Sequence, residues 1–371
     1  MTKIRFSVAR RPSGGSKEPR RPSHEVAGQV GGGSPFGSTT YKRARLCPYE
    51  DGLVRVARLR PTRTKEELDV GWICHGAREV YYNTIKEHQD RLGEHPPPEN
   101  DTRAYEHYFW GAIPQAEQAG MDFIDLYKEE PGYLDTWETC ARTMAAWFEH
   151  WKRQDRWRIL SVEETLIYQL PLEGPLTFRL ANETQLIEQA AFSEFAYSAR
   201  LDTVVLDYAP SRRGIWVPEF KTTKWISEDL LDGYQLDMQV LGQVWLMRNC
   251  VDLEAYNAPF KGAVVDIVSK QANPKCERLD VNPSPYHLAA FEASTKAWAM
   301  ATSMYEALGY PRALGSCAGA LRGYSRCQYY DLCHGRPEMG VHDWAEQEDP
   351  PAGFYREERM LEDPSEYEDY A

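Results

Sequence analysis

Several features that would settle the role of a chain cheaply are missing from this one. No apolar run approaches the roughly 18 residues of a membrane-spanning helix, and the N-terminal residues lack the apolar core of a secretory leader, so a cytoplasmic protein with no membrane partner is expected. Positive charge is not in excess. With 43 Lys and Arg against 56 Asp and Glu, a net charge of −13 excludes a general nucleic-acid coat protein. There is no Gly-x4-Gly-Lys-Ser/Thr loop to cradle nucleotide phosphates, so any motor would be a separate protein. No helix-turn-helix or zinc-finger pattern offers base readout. Eight cysteines in a reducing compartment are too few, and wrongly placed by compartment, for a disulfide framework, which leaves free thiols or metal ligands.

What is present is a chain of 371 residues, 42% hydrophobic and 12% aromatic, able to bury a large core. The charge is unevenly spread. Residues 1–37 are basic and rich in Gly, Ser and Pro, and residues 336–371 are strongly acidic; both are expected to be disordered tails. The basic tail is either a solvated extension or an arm for nucleic acid. Between the tails, residues 38–156 read as an N-terminal helical region, 157–275 as the catalytic core, and 276–335 as a C-terminal helix followed by a cysteine-bearing segment.

Taken in order, Ser38, Thr39 and Thr40 can cap a short helix that stops at Cys47-Pro48. Glu66 to His88 carries apolar residues at helical spacing and holds His75. That histidine is either a structural imidazole or a ligand, with Gly71 one turn before it leaving room for a close neighbour. Further helices are expected over Tyr105–Leu126 and Asp135–Arg156. The period then changes to that of a strand from Arg158, read as central, with Glu163 and Glu164 in its middle. A buried strand tolerates such carboxylates only at an edge or in a site. After Lys224, Leu230 to Arg248 forms a helix with Gln235, Gln239 and Gln243 in one stripe, either solvated or facing phosphates. A strand at Gly262–Lys270 and a helix at Ser284–Ala307 complete an α/β fold with a central mixed sheet flanked by helices.

The middle of the chain turns on residues Ala199 to Lys224. Apolar runs Leu201–Leu206 and Ile215–Phe220 flank a Pro-Ser-Arg-Arg-Gly turn, the pattern of a β-hairpin. Antiparallel pairing brings Asp202 to the end that carries Glu219 and Lys221, and the two-residue period puts Glu219 and Lys221 on one face with Phe220 on the other. Two carboxylates and an ammonium gathered there call for a cation or a phosphate to offset their charge. Asp-x16-Glu-x-Lys suits metal-dependent phosphodiester hydrolysis: carboxylates and a histidine for Mg²⁺ or Mn²⁺, and a lysine for the attacking water or the phosphate oxygens. Charged hairpins are common, so this pattern alone does not decide.

Late in the chain stand Cys317, Cys327 and Cys333. Three thiolates need a fourth ligand for either tetrahedral zinc or a cubane cluster, and Cys47 is either that ligand or a small buried hydrophobe. The whole set, in this order, resembles the PD-(D/E)XK nuclease superfamily, and within it the RecB-like branch with an iron-sulfur cluster, which includes CRISPR-adaptation exonucleases and AddAB-type helicase-nucleases. The matching pieces are the helix ending in Cys47-Pro48, Gly71-Trp-Ile-Cys-His75, Arg200-Leu-Asp202, Glu219-Phe-Lys221, the helix around Gln239, and the three late cysteines.

The resemblance implies a restriction-endonuclease-like core and a metal-dependent deoxyribonuclease acting on DNA. An exonuclease on single strands or duplex ends is expected, in phage recombination, DNA repair or CRISPR-type adaptation, with a separate helicase or recombination protein as partner. It makes His75, Asp202, Glu219 and the Phe220 carbonyl the ligands of Mg²⁺ or Mn²⁺, Lys221 the catalytic lysine and Gln239 a supporting residue. It makes Cys47, Cys317, Cys327 and Cys333 the ligands of a 4Fe-4S cluster, with zinc as the alternative. The chain departs from the family pattern at Gln243, where a tyrosine is usual, at Pro218, before the glutamate, and in the longer Cys317–Cys327 gap. A non-catalytic DNA-end-binding subunit of the same fold is the rival reading.

Overall fold

The computed structural model describes residues 43–61, 66–129, 132–170, 176–180, 183–187, 196–313 and 327–357. The elements run in the order α1 (Pro48–Arg55), β1 (Leu59–Pro61), α2 (Glu66–Leu92), α3 (Thr102–Trp110), α4 (Ile113–Asp125), α5 (Leu134–Trp151), β2 (Trp157–Gln169), β3 (Leu176–Leu180), β4 (Glu183–Ile187), β5 (Ala196–Asp207), β6 (Gly214–Thr223), α6 (Glu228–Gln235), α7 (Met238–Cys250), β7 (Phe260–Ser269), β8 (Cys276–Val281), α8 (Pro285–Leu308), α9 (Tyr330–Gly335), α10 (Val341–Glu346) and β9 (Phe354–Arg356). They form two units. Unit 1 takes in residues 64–166 and 200–287, and unit 2 residues 27–63, 167–199 and 288–371, with residues 1–26 assigned to unit 1.

Unit 1 is built on a five-stranded sheet in the order β2-β5-β6-β7-β8. β5 and β6 are antiparallel, β6 and β7 parallel, β7 and β8 antiparallel, so the sheet is mixed and the expected α/β class is the one found. Parallel neighbours need a crossover, and the α6–α7 segment supplies it between β6 and β7. Buried residues go all the way round α7, from Val240 to Met247, as befits a helix enclosed by its surroundings. On the other sheet face α2, α4 and α5 stack. Val70, Ile73, Ala77, Tyr81 and Ile85 of α2 recur at helical spacing and pack with Met144, Trp147 and Phe148 of α5 onto Val205, Trp216, Phe220 and Val264. Gly76 is needed for that stacking, because a Cβ there would lie 2.4 Å from the Phe123 ring.

The β6–β7 register slips between Ile215 and Trp216, which pair with Phe260 and Gly262. Gly262 takes φ +122°, and a Cβ on it would fall 2.3 Å from the Val281 carbonyl oxygen. Only glycine suits such a bulge. The far end of the sheet is held by a buried charge network. Arg278 bonds Asp155 at 3.0 Å and Asp266 at 2.9 Å, with its guanidinium between the Trp151 and Trp157 rings. Trp147 Nε1 donates to the other oxygen of Asp266 at 3.0 Å.

Unit 2 has its own core of Cys47, Tyr49, Leu53, Leu59, Tyr329, Leu332, Val341 and Trp344. Tyr49 is its polar hub: its hydroxyl donates to the Met339 carbonyl at 2.7 Å and accepts from Trp344 Nε1 at 3.0 Å. β1 and β9 pair antiparallel, Leu59 with Arg356 and Pro61 with Phe354.

Three expectations change. The segment 336–371 is not uniformly a disordered tail, since α10 and β9 lie in it and Val341 and Trp344 are buried: three or four apolar side chains outweigh an acidic composition. Residues 358–371, like the basic residues 1–37 and the 38–40 cap, lie outside the described residues. As expected, the helical turn at residues 43–46 stops at Cys47, and Pro48 then opens α1 at its first turn, where proline costs no hydrogen bond. Two single helices become pairs, broken at Gly111–Ala112 ahead of Pro114 and at Leu236–Asp237, so Gln235 leaves the glutamine stripe. Finally β2 is an edge strand of its sheet, not a central one.

Candidate active site

The site begins with a gap in a sheet. The β5–β6 register runs from Asp207–Gly214 to Val205–Trp216 and stops. Backbone N–H groups alternate sides along a strand, and the Phe220 amide points toward β5, donating to Asp202 Oδ2 at 2.8 Å. Pro218, two residues earlier, therefore presents to β5 a nitrogen with no hydrogen, and the ladder cannot continue. β6 is central, so Pro218 marks an irregularity in it and not an edge. A side-chain carboxylate takes the place of the missing ladder.

The carbonyl of the same residue is also used. His75 Nε2 of α2 lies 3.0 Å from Phe220 O and 3.6 Å from Asp202 Oδ2, with its ring edge-on to Phe220 at 5.3 Å. One turn on, Arg78 is almost fully buried over the rings of Phe220 and Tyr82, each 5.0 Å away, and its Nη1 is 3.5 Å from Asp202 Oδ2. Among the described residues its Nε and Nη2 have no hydrogen-bond partner. Gly71 faces Thr222 Oγ1, 3.4 Å from where a Cβ would be, so the glycine before His75 does leave room for β6.

Glu163 comes in from β2. Trp157, Arg158, Ile159 and Ser161 are buried on that strand, and the next buried position, Leu166, is one residue out of phase with Ile159 and Ser161. Glu163 sits in that slip with φ +55°, a left-handed conformation costly for a glutamate. Its carboxylate, one oxygen of Asp202 and a ring nitrogen of His75 all lie within 4.8 Å of one another. Arg200 Nε is ion-paired with Glu163 Oε2. Burial pushes the Glu163 carboxyl up to about 8, with the Asp202 charge adding and Arg200 opposing. Glu79, one turn beyond His75, is raised by burial as well.

On the opposite sheet face stand Glu219 and Lys221. Glu219 is fully buried and both its oxygens are occupied: Oε1 accepts from Lys221 Nζ and from Gln239 Nε2 at 2.6 Å, Oε2 from Gln243 Nε2. Lys221 Nζ also donates to Gln239 Oε1 at 2.9 Å, closing a ring of three side chains. α7 sets both glutamines. Asp237 caps it, accepting from Gln239 N at 2.8 Å, and Gln243 follows one turn later on the same face. Burial works against the Lys221 charge, but Glu219 and Asp202 outweigh it and hold the ammonium above the ordinary lysine range. The charge of Asp202 thus bears on both halves of the site.

The residues expected from the sequence therefore fall into two groups in unit 1: His75, Asp202 and the Phe220 carbonyl, and Glu219, Lys221 and Gln239. Of the Glu163/Glu164 pair, Glu163 is the one that joins. Arg78 was not anticipated; three residues after His75 it falls on the same face of α2, which is the signal that could have found it. Gln243 bonds Glu219 itself. A tyrosine, Tyr234 of α6, is near enough to feel the Lys221 and Glu219 charges.

Imidazole nitrogen, carboxylate oxygen and carbonyl oxygen form a mostly hard donor set that fits Mg²⁺ or Mn²⁺. The late cysteines are in unit 2. Cys47 and Cys333 are buried in its core with Cys327 packed against it, and Cys327 Sγ is 3.7 Å from Glu50 Oε2. Cys317 lies outside the described residues. Among the described residues these three sulfurs do not form a group within 4.8 Å of one another.

No protein-family profile and no curated protein matches the chain. Among solved structures it is similar to one described as a "putative exonuclease" from Eubacterium rectale, with a TM-score of 0.35 and 11% identity over 87% of this chain and 100% of that one. It is also similar to SSO0001, with a TM-score of 0.22 and 12% identity over 61% of this chain and 86% of that one.

Proposed function

We propose that the protein is a metal-dependent deoxyribonuclease of the PD-(D/E)XK type, cutting phosphodiester bonds in single-stranded DNA or at duplex ends. The observation that carries this reading is the convergence of His75 Nε2, the Asp202 carboxylate and the Phe220 carbonyl, with the Asp202 charge also acting on Lys221 of the Glu219–Lys221 pair. His75, Asp202 and Phe220 O would hold the cation, with Glu219 as the further carboxylate the family pattern gives it. A bound Mg²⁺ or Mn²⁺ there would lower the pKa of a water and neutralise charge on the phosphate.

The protein's own side chains do the rest. Lys221, kept charged by its carboxylate neighbours, meets a non-bridging phosphate oxygen as negative charge grows on it. Gln239 and Glu219 fix where that ammonium stands. Arg78 holds Asp202 from beneath. With no base-reading module, recognition falls to phosphate contacts and stacking, which suits an exonuclease. In unit 2, Cys47, Cys327 and Cys333 with Cys317 are proposed to hold a 4Fe-4S cluster, zinc being the alternative.

End-labelled single-stranded and duplex DNA, incubated with Mn²⁺ or Mg²⁺, should be degraded by the wild type and spared by Asp202→Ala and Glu219→Ala. Equal cleavage by wild type and both variants would show the activity to lie elsewhere.

A further inference from the structure

We infer that Glu163 is a direct protein ligand of the catalytic cation, in addition to His75, Asp202 and the Phe220 carbonyl. The inference rests on the nuclease reading above and adds to it a carboxylate that the family pattern does not supply.

Three observations point the same way. Geometry is the first: a six-coordinate Mg²⁺ or Mn²⁺ with bonds of about 2.1 Å spaces its ligands about 3 to 4.2 Å apart, and the three donors of His75, Glu163 and Asp202 lie within 4.8 Å of one another. Small side-chain adjustments close that gap. The second is how the carboxylate is delivered. β2 gives up its alternation and places a glutamate at φ +55° to turn the side chain toward α2 and β5. A regular strand would carry position 163 without that cost.

The third is availability. Glu219 is fully buried and has both oxygens bound, by Lys221, Gln239 and Gln243. To enter a coordination shell it must give up part of that set. Glu163 is held by Arg200, whose side chain is 49% exposed and can swing into water when a cation replaces it. An exposed partner of this kind holds a carboxylate weakly. Glu164, the next residue, belongs to no such group of ligand atoms.

The test uses the full chain without DNA. Free Mn²⁺ is followed by electron paramagnetic resonance during titration of wild type, Glu163→Gln and Glu164→Gln at one pH, after melting curves in EDTA have compared their folding. Glu163→Gln should raise the Kd for Mn²⁺ at least tenfold, while Glu164→Gln stays within threefold of wild type. A Kd for Glu163→Gln within threefold of wild type overturns the inference. A second measurement needs no variant: Fe²⁺ with ascorbate and peroxide should cut the wild-type backbone near residues 75, 163 and 202, and cuts at 75 and 202 without 163 also overturn it. If wild type binds no Mn²⁺ at all, the nuclease reading fails with it. If wild type binds Mn²⁺ and degrades DNA regardless of the state of Glu163, only the inference fails.

Discussion

Three groups meet at one oxygen of Asp202, Oδ2: the Phe220 amide at 2.8 Å, Arg78 Nη1 at 3.5 Å and His75 Nε2 at 3.6 Å. The arginine is the least replaceable of these, because a buried guanidinium both neutralises the carboxylate and fixes its angle. Arg78→Met should lower the cleavage rate about 10- to 100-fold with little change in far-UV circular dichroism, read in the same labelled-DNA assay. Behind Glu219, Gln243→Leu removes a hydrogen bond to a buried charge and should cost about 1.5–3 kcal/mol in urea unfolding. At this scale the sequence was readable where spacing alone sets a face. Glu219, Phe220 and Lys221 alternate as the period of two requires, and Gln239 lies where a helix after the hairpin puts it. Spacing put Arg78 on the His75 face, but its role was not readable, since its partner Asp202 is 124 residues away; nor was the role of Gln243, whose partner is 24 away. A lone charge on an apolar helix face looks the same whether it reaches solvent or a buried carboxylate.

Among the elements, β6 and β7 hold the site in place, and their bulge at Gly262 is the most exacting position in the sheet. Gly262→Ala meets a backbone oxygen at 2.3 Å as well as an unfavourable φ, and a loss of about 2–4 kcal/mol is expected, measured as a lowered urea midpoint at unchanged slope. Nothing in the letters around Gly262 distinguishes it from a turn glycine. The helix after the hairpin was legible as one amphipathic run but not as two pieces, because Asp237 is a helix-tolerated residue until its side chain is seen capping Gln239. The acidic C-terminal stretch misled for a related reason: composition averages over a window, whereas burial acts on single residues such as Trp344. Truncation after residue 335 removes Trp344 and β9 and should cost about 3–5 kcal/mol, the two chains being compared by calorimetry.

For the whole molecule, the expected α/β class was recoverable because the order of helical and strand periods survives even where boundaries do not. The proposed cluster is a property at this scale, joining residue 47 to the late cysteines. Anaerobically purified protein should be brown, with broad visible absorption that Cys327→Ala abolishes; a colourless protein with one zinc per chain would favour the alternative. The partition of the chain into units carries one more consequence. Unit 1 is drawn from residues 1–26, 64–166 and 200–287 and unit 2 from the rest, so the polypeptide crosses between units at residues 26–27, 63–64, 166–167, 199–200 and 287–288. A single proteolytic nick anywhere from residue 64 to 287 leaves both fragments with pieces of both units. To obtain unit 1 alone one would have to rewire the chain, joining Leu166 to Arg200 and leaving out residues 167–199.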